Sequence, residues 1–176
     1  MEHRILVVCT ANVCRSPMVA AMLGARLAGR RFTVESAGVR APEGRAMDSD
    51  SAAQLSDRGV PVPTSAARQL TPEMVASADL VLTATRAHRA DVLDLNPRSL
   101  RRTFTVLEFA ALVDLVEADD FDGLLRGAVA ARSQGPQSAD LRDPIGHPPE
   151  VHAEVADLAD AAVATIAARL NALRDE

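Results

Sequence analysis

An apolar run, Ile5-Leu6-Val7-Val8, stops directly on Cys9, and Pro17 opens a helix-like stretch a short polar loop later. A buried-type strand feeding through such a loop into a helix is the opening unit of a parallel α/β sheet. The unit recurs: Arg4–Val8, Phe32–Glu35, Leu80–Thr83 and Thr103–Val106 read as strands, the last leading into the apolar stretch Phe109–Val116. Helices are expected over Met18–Ala28 ahead of Gly29, over Ser49–Arg58 ahead of Gly59, and from Pro72 to Ser77. Another runs from Thr85 to about Leu95 before Asn96-Pro97. Thr71 and Thr85 are N-cap residues, and Pro72 occupies a first helical position, where its missing N–H costs nothing. Val60-Pro61-Val62-Pro63 must be extended. The last helix, Glu150 to Arg174, places Val151, Val155, Leu158, Ala162, Ile166, Leu170 and Leu173 on one face. The expected fold is therefore a three-layer α/β/α sandwich around a four-stranded parallel sheet, doubly wound, with helices on both faces. On such a sheet a ligand lies beyond the carboxyl ends of the strands, where Cys9 falls.

With 176 residues the chain is long enough for one well-buried core and short for two, so residues 1–176 read as a single domain. Residues 117–140 fit that scheme least. Asp119-Asp120-Phe121-Asp122-Gly123 opens a helix through Ala131, and Ser133–Ser138 is loop-like; the segment reads as a surface insertion.

The loop Cys9-Thr10-Ala11-Asn12-Val13-Cys14-Arg15-Ser16 carries the chemistry. Five residues between Cys9 and Arg15 can curl so that their N–H groups converge on one point at a helix N-terminus, an anion cradle. Thr10, Ala11, Asn12, Val13, Cys14 and Arg15 are thus the candidate phosphate-binding residues. Arg15 offers a planar fork to two oxygens of a phosphate-like group. Cys9 then lies beneath the phosphorus, where the field that holds the substrate also favours a thiolate nucleophile.

Other classes are disfavoured. A net charge of −5 suggests neither a nucleic-acid footprint nor an anionic membrane surface as partner. Two cysteines cannot build a four-ligand zinc site, and His3, His88, His147 and His152 show no metal spacing. No metal or cofactor is expected. No run approaches a membrane span, the N-terminal apolar stretch is too short for a signal peptide, and the expected location is the reducing cytoplasm. His88 and the cluster Arg98, Arg101 and Arg102 read as structure and solvated surface.

The segment Val7–Met18 resembles the signature loop of the low-molecular-weight protein-tyrosine phosphatases. Ser36-Ala37-Gly38 after Thr33-Val34-Glu35 is similar to the family's second-strand motif, Ala67–Thr71 with Ala78–Leu82 follows its pattern, and Asp143-Pro144 matches its late Asp-Pro. The resemblance runs from about Arg4 to Pro144. It implies a metal-independent phosphomonoester hydrolase, acting through a phosphocysteine on Cys9 with Asp143 as general acid and then base; Asp140 is the competing carboxylate. Ser16 is expected to hydrogen-bond the Cys9 sulfur and Asn12 to take a left-handed conformation buttressed by Ser36, which otherwise is a serine ending a strand. Cys14 is implied as a partner for a reversible disulfide with Cys9; the alternative is a small buried filler. The implied partner is a phosphotyrosine protein substrate; family members in bacteria often oppose a tyrosine kinase of polysaccharide synthesis, which is the implied candidate.

Departures from the family bear on substrate. Ala11 stands where Gly is usual and costs about 1 kcal/mol if that position needs a positive φ. Val39-Arg40-Ala41-Pro42 replaces a segment that commonly brings an aromatic to the pocket rim, and Ile145 follows Asp-Pro in place of Tyr or Phe. Val13 is closer to the tyrosine type than the Thr of phosphoarginine-type relatives. Two further classes remain: a small-thiol-dependent arsenate reductase, which needs only Cys9, and a catalytically weak phosphate-binding module, which needs the cradle but not the acid.

Overall fold

The computed structural model describes residues 2–174. Four strands, β1 (His3–Cys9), β2 (Phe32–Gly38), β3 (Leu80–Thr83) and β4 (Thr103–Thr105), form one parallel sheet in the order β2-β1-β3-β4. Seven α-helices among the described residues cover it: α1 (Arg15–Arg26), α2 (Ser49–Asp57), α3 (Pro72–Ser77), α4 (Arg86–Leu95), α5 (Val106–Val113), α6 (Phe121–Ala130) and α7 (Pro149–Asn171). Alternation along β1 decides the layering, because successive side chains face opposite sides of a sheet. Ile5, Val7 and Cys9 join the core formed with α1, α5 and α7, whereas Leu6 and Val8 pack with Leu70, Val75 and Val92 on the other face. Both faces are buried, so the apolar run of β1 is continuous rather than alternating. The chain leaves β1 for β2 on one side and returns to β3 on the other, so the carboxyl end of β1 lies at the point where strand order reverses.

Several elements differ from their predicted bounds, each for a local reason. β2 continues through Gly38 instead of ending at Glu35, because Ser36, Ala37 and Gly38 pair with Val7, Val8 and Cys9. α1 starts at Arg15 rather than Met18, with Pro17 in its first turn, where its missing N–H costs nothing. β4 stops at Thr105 because a capping box takes over: Thr105 Oγ1 accepts from Glu108 N at 3.0 Å, and Glu108 Oε2 accepts from Thr105 N at 3.2 Å. Pro97–Arg102, absent from the sequence reading, is a short 3₁₀ helix. On α7, Leu158 is 53% exposed instead of facing the core; the buried stripe runs through Val155, Ala159, Ala162, Val163, Ile166 and Leu170. The 117–140 segment is more than a surface feature. Asp120 caps α6 by accepting from Gly123 N at 2.6 Å, and Phe121, Leu124 and Ala128 enter the main core.

Gly38, at the end of β2, explains why the Ser36-Ala37-Gly38 motif ends in glycine. A Cβ there would lie 2.6 Å from Thr10 O, 2.8 Å from Asn12 N and 2.9 Å from the Ala11 carbonyl carbon, all backbone atoms of the Cys9 loop. The loop rests directly on this residue, and backbone cannot rotate out of the way as a flexible side chain could. Gly38→Ala is expected to cost roughly 1–3 kcal/mol of stability and to weaken oxyanion binding by about tenfold or more as the loop is displaced. Chemical denaturation and phosphate titration check both; wild-type affinity in the variant contradicts the packing argument.

Candidate active site

The loop between β1 and α1 is held in shape by one side chain. Asn12 takes φ 55° and is the one non-glycine residue at positive φ among those described. Asn tolerates this conformation better than most residues. Its Nδ2 donates to Ser16 Oγ at 2.9 Å and to Ser36 Oγ at 2.8 Å, while its Oδ1 accepts from Arg68 N at 3.0 Å. Three segments distant in sequence therefore converge on one buried amide. Ala11 lies outside the positive-φ region, so the cost expected for it does not arise.

Cys9 Sγ is buried 3.0 Å from Ser16 Oγ. Cys14, the residue ahead of α1, makes no side-chain cap, which leaves first-turn N–H groups without a side-chain acceptor, the arrangement an oxyanion satisfies. Arg15 is 5% exposed. Its Nη1 donates to Leu141 O at 3.0 Å, and its Nη2 lies 3.2 Å from Asp143 Oδ2. Asp143 is half-exposed, and its Oδ1 accepts from Ile145 N at 3.2 Å, a turn that presents the carboxylate from the stretch ending in Pro144. Asp140 is committed elsewhere: its Oδ1 accepts from Arg86 N at 2.8 Å, at the N-terminus of α4. The cleft these residues share has a volume of about 210 Å³. Cys9, Thr10, Ala11, Val13, Cys14 and Arg15 line it with Asp143, and Pro42, Arg45, Ala46, Asp48 and Ile145 complete the wall. No aromatic side chain takes part, as the departures at Val39–Pro42 and Ile145 lead one to expect.

Behind the loop, Cys14 Sγ lies 2.7 Å from Ser51 Oγ. Ser51 directs its own proton to Asp48 Oδ2 at 3.1 Å, so its oxygen accepts from the Cys14 thiol. Burial first, partly offset by the Ser51 hydrogen bond, pushes the Cys14 pKa up to about 12. Cys14 is therefore a protonated thiol at neutral pH, and both cysteines are free. The fold also brings buried His152 beside Asp48 and Asp50, with ligand-capable atoms within 4.8 Å of one another, a proximity that sequence spacing does not disclose. Asp48 Oδ2 is already engaged as the cap of α2, accepting from Ser51 N at 3.0 Å.

His88 is the residue that sequence reasoning missed. It is buried, with Nε2 2.7 Å from Thr10 Oγ1 and Nδ1 3.0 Å from Thr85 Oγ1. A neutral ring donates at one nitrogen and accepts at the other; with Nδ1 accepting from Thr85, Nε2–H donates to Thr10 and the Thr10 hydroxyl is free to donate within the cradle. Burial, reinforced by the Arg15 charge, holds the His88 pKa below its ordinary 6.5, keeping the ring neutral. The available signal was an N-cap threonine three residues before a histidine, just past the carboxyl end of a strand.

Three outcomes are expected. His88→Ala lowers kcat/KM for an aryl phosphate by about tenfold, the equivalent of one buried hydrogen bond. Because the native state prefers neutral His88, its contribution to stability is present above pH 6.5 and is lost as pH falls below that value; the variant shows a flatter acid limb in denaturation measured across this window. For Cys14 the sign is the opposite. The unfolded thiol ionises near 9.0 and the native one near 12, so stability falls as pH rises through that interval. The chain has no Lys and no Tyr to obscure it, and Cys14→Ser is expected to lose less stability there; equal losses contradict the assignment.

A family model described as low molecular weight phosphotyrosine protein phosphatase matches residues 4–121, which include the Cys9 loop, Ser36 and His88 but not Asp143. The protein-arginine-phosphatase of Geobacillus stearothermophilus is 36% identical over 135 residues, covering 76% of this chain and 89% of that protein. The low molecular weight protein-tyrosine-phosphatase Etp of Escherichia coli K12 is 38% identical over 101 residues, 57% of this chain and 67% of that one. Among solved structures, the YwlE arginine phosphatase from Geobacillus stearothermophilus superposes with a TM-score of 0.75 at 30% identity, covering 97% of this chain and 94% of that one. The expected family resemblance thus holds on sequence and on three-dimensional similarity, and the chain belongs to the low-molecular-weight phosphotyrosine protein phosphatase family.

Proposed function

We propose that the chain removes phosphate from tyrosine side chains of proteins through a phosphocysteine on Cys9. One observation carries the reading: the Cys9 sulfur, the Arg15 guanidinium and the Asp143 carboxylate line a single small cleft at the carboxyl end of β1, with Arg15 and Asp143 in contact at 3.2 Å. Substrate phosphate enters the loop and takes the Arg15 fork together with the loop N–H groups. The Cys9 thiolate attacks phosphorus; the S–P bond forms as the P–O bond to the leaving group breaks, and protonated Asp143 passes its proton to the departing oxygen. Water then attacks the phosphocysteine and gives a proton to Asp143. The S–P bond breaks, phosphate leaves, and the thiolate is restored with Ser16 Oγ beside it at 3.0 Å. Asn12 and Ser36 shape the loop, and Cys14 is the nearby thiol with which Cys9 could pair on oxidation.

The rim supports tyrosine through aliphatic contacts. Pro42 and Ile145 line the cleft with Val13, and Ile145 is 43% exposed and free to cover a ring. Arg45 adds a cation at the wall, suited to acidic residues flanking the phosphorylated one. On this reading residues 1–176 work as one unit in the cytoplasm, on phosphoproteins that a tyrosine kinase, such as one of polysaccharide synthesis, has modified. The described residues contain no helix long and apolar enough to cross a membrane. A second reading, phosphoarginine as substrate, is favoured by Asp48, a carboxylate on the cleft wall able to accept from a guanidinium, and by the similarity to a protein-arginine-phosphatase.

Cys9→Ser is expected to abolish hydrolysis of an aryl phosphate, whereas EDTA leaves the wild-type rate unchanged, since the chain's own groups complete both steps. Asp143→Ala is expected to slow esters with poor leaving groups by about 10²–10⁴ and those with good ones far less; equal losses assign the acid elsewhere. Steady-state kinetics with phosphotyrosine, phosphoarginine and arsenate side by side separates the substrate readings: phosphotyrosine turned over fastest supports the first, phosphoarginine the second, and thiol-dependent arsenite production overturns both.

A further inference from the structure

A second cavity, of about 600 Å³, lies at the other end of the sheet from Cys9. His3, the first residue of β1, and Asp79, immediately before β3, are on its wall. At about 3.3 Å per residue, β1 separates it from Cys9 by roughly 20 Å. Two features that the phosphatase reading leaves unused meet here: α6, from the segment read as an insertion, and the arginine run of the 3₁₀ helix Pro97–Arg102.

The two walls differ in chemistry. Phe121, Leu125 and Val129 of α6 give an apolar surface, and Phe121 is stacked on the His3 ring at 4.1 Å between centroids. Arg98, Arg101 and Arg102 come from the 3₁₀ helix, and Arg126 from α6. Arg102 is anchored, its Nη2 donating to Val75 O at 3.3 Å and Ala76 O at 3.4 Å, while its Nε is buried without an acceptor. Among the described residues, Arg98, Arg101 and Arg126 have no carboxylate partner. Of the two acids on the wall, Asp79 is occupied, its Oδ2 accepting from Arg4 N at 2.8 Å, and Asp122 remains. Four guanidinium groups against two carboxylates leave a local surplus of two positive charges on a chain whose net charge is −5. Arg98, Arg101 and Arg126 are exposed and solvated, and a ligand bringing two or more negative charges is attracted by their summed field and neutralises the surplus. An inorganic anion would leave the apolar wall uncovered; a ring-bearing body covers it, and the volume falls within the small-molecule range of about 300–1,000 Å³.

We propose that this cavity binds a nucleotide-like organic anion, its acidic groups among Arg98, Arg101 and Arg126 and its ring against Phe121, Leu125 and Val129. Asp122 is the acceptor available to a ligand hydroxyl or amine. The site is separate from the Cys9 cleft and does not depend on what that cleft hydrolyses.

Isothermal titration of the full chain with ADP, in the presence of saturating benzylphosphonate to occupy the Cys9 cleft, tests this. One ADP is expected to bind per chain despite the phosphonate. Arg98→Ala with Arg101→Ala, and separately Arg126→Ala, are expected to weaken it by about tenfold or more, while aryl-phosphate hydrolysis by these variants matches wild type and so reports an intact fold. Pyrophosphate and adenosine, each lacking one half of the recognised chemistry, bind at least about tenfold more weakly than ADP. The proposal is overturned if ADP shows no binding, if benzylphosphonate displaces it, if the arginine variants bind it as wild type does, or if pyrophosphate binds as tightly. The arginine variants report on this cavity whatever the Cys9 cleft contains.

Discussion

The buried amide of Asn12 is the constraint from which the rest of the site follows. A five-residue loop carrying a nucleophile at one end and a guanidinium at the other is useful only if both ends address the same point. The left-handed turn at Asn12 bends the chain back, and the three hydrogen bonds of its side chain tie that turn to α1, to β2 and to the backbone at Arg68. Gly38 makes the tie feasible by removing the one side chain that would keep β2 away from the loop. Ser16, held from one side by Asn12, is thereby placed against the Cys9 sulfur. Preorganisation of this kind puts the cost of ordering the cradle into folding rather than into substrate binding.

The same logic separates the two candidate acids. In sequence, Asp140 and Asp143 are near neighbours with equal claim on the role apart from the proline after the second. In the fold, Asp140 spends its carboxylate on the first N–H of α4, and Asp143 faces Arg15 across the cleft. The main-chain bond from Leu141 N to Ala84 O, 2.8 Å, fastens the chain between the two carboxylates to the residue just past β3.

What could be read from the chain beforehand was what depends on neighbours in sequence. The apolar run ending at Cys9, the Thr71 and Thr85 caps, and the glycine after α2 are local signals, and the helices and strands they announce are present. What escaped depends on distant partners. The last three residues of β2 are strand only because Val7, Val8 and Cys9 lie alongside, and α6 looked peripheral because nothing nearby in sequence shows that Phe121 reaches His3. Leu158 was misplaced because the stripe of α7 follows small alanines, which let helices approach closely, rather than the largest apolar residues. His88 reads as structure alone because its partner Thr10 is 78 residues away; Arg98 and Arg101 are exposed as expected, and what the chain does not disclose is that α6 lines the same cavity.

The missing aromatic rim shifts the burden of recognition without altering the chemistry at phosphorus. Pro42, Val13 and Ile145 offer dispersion contact but no stacking, and Arg45 and Asp48 stand beside them on the cleft wall. The central claim, that this loop commits Cys9 to covalent phosphoryl transfer, is tested most directly by rapid acid quench of a reaction with an aryl phosphate followed by mass spectrometry of the digested protein. The account predicts a single phosphoryl group on the peptide containing Cys9, formed within one turnover; a phosphoryl group on another residue, or none during rapid turnover, contradicts it.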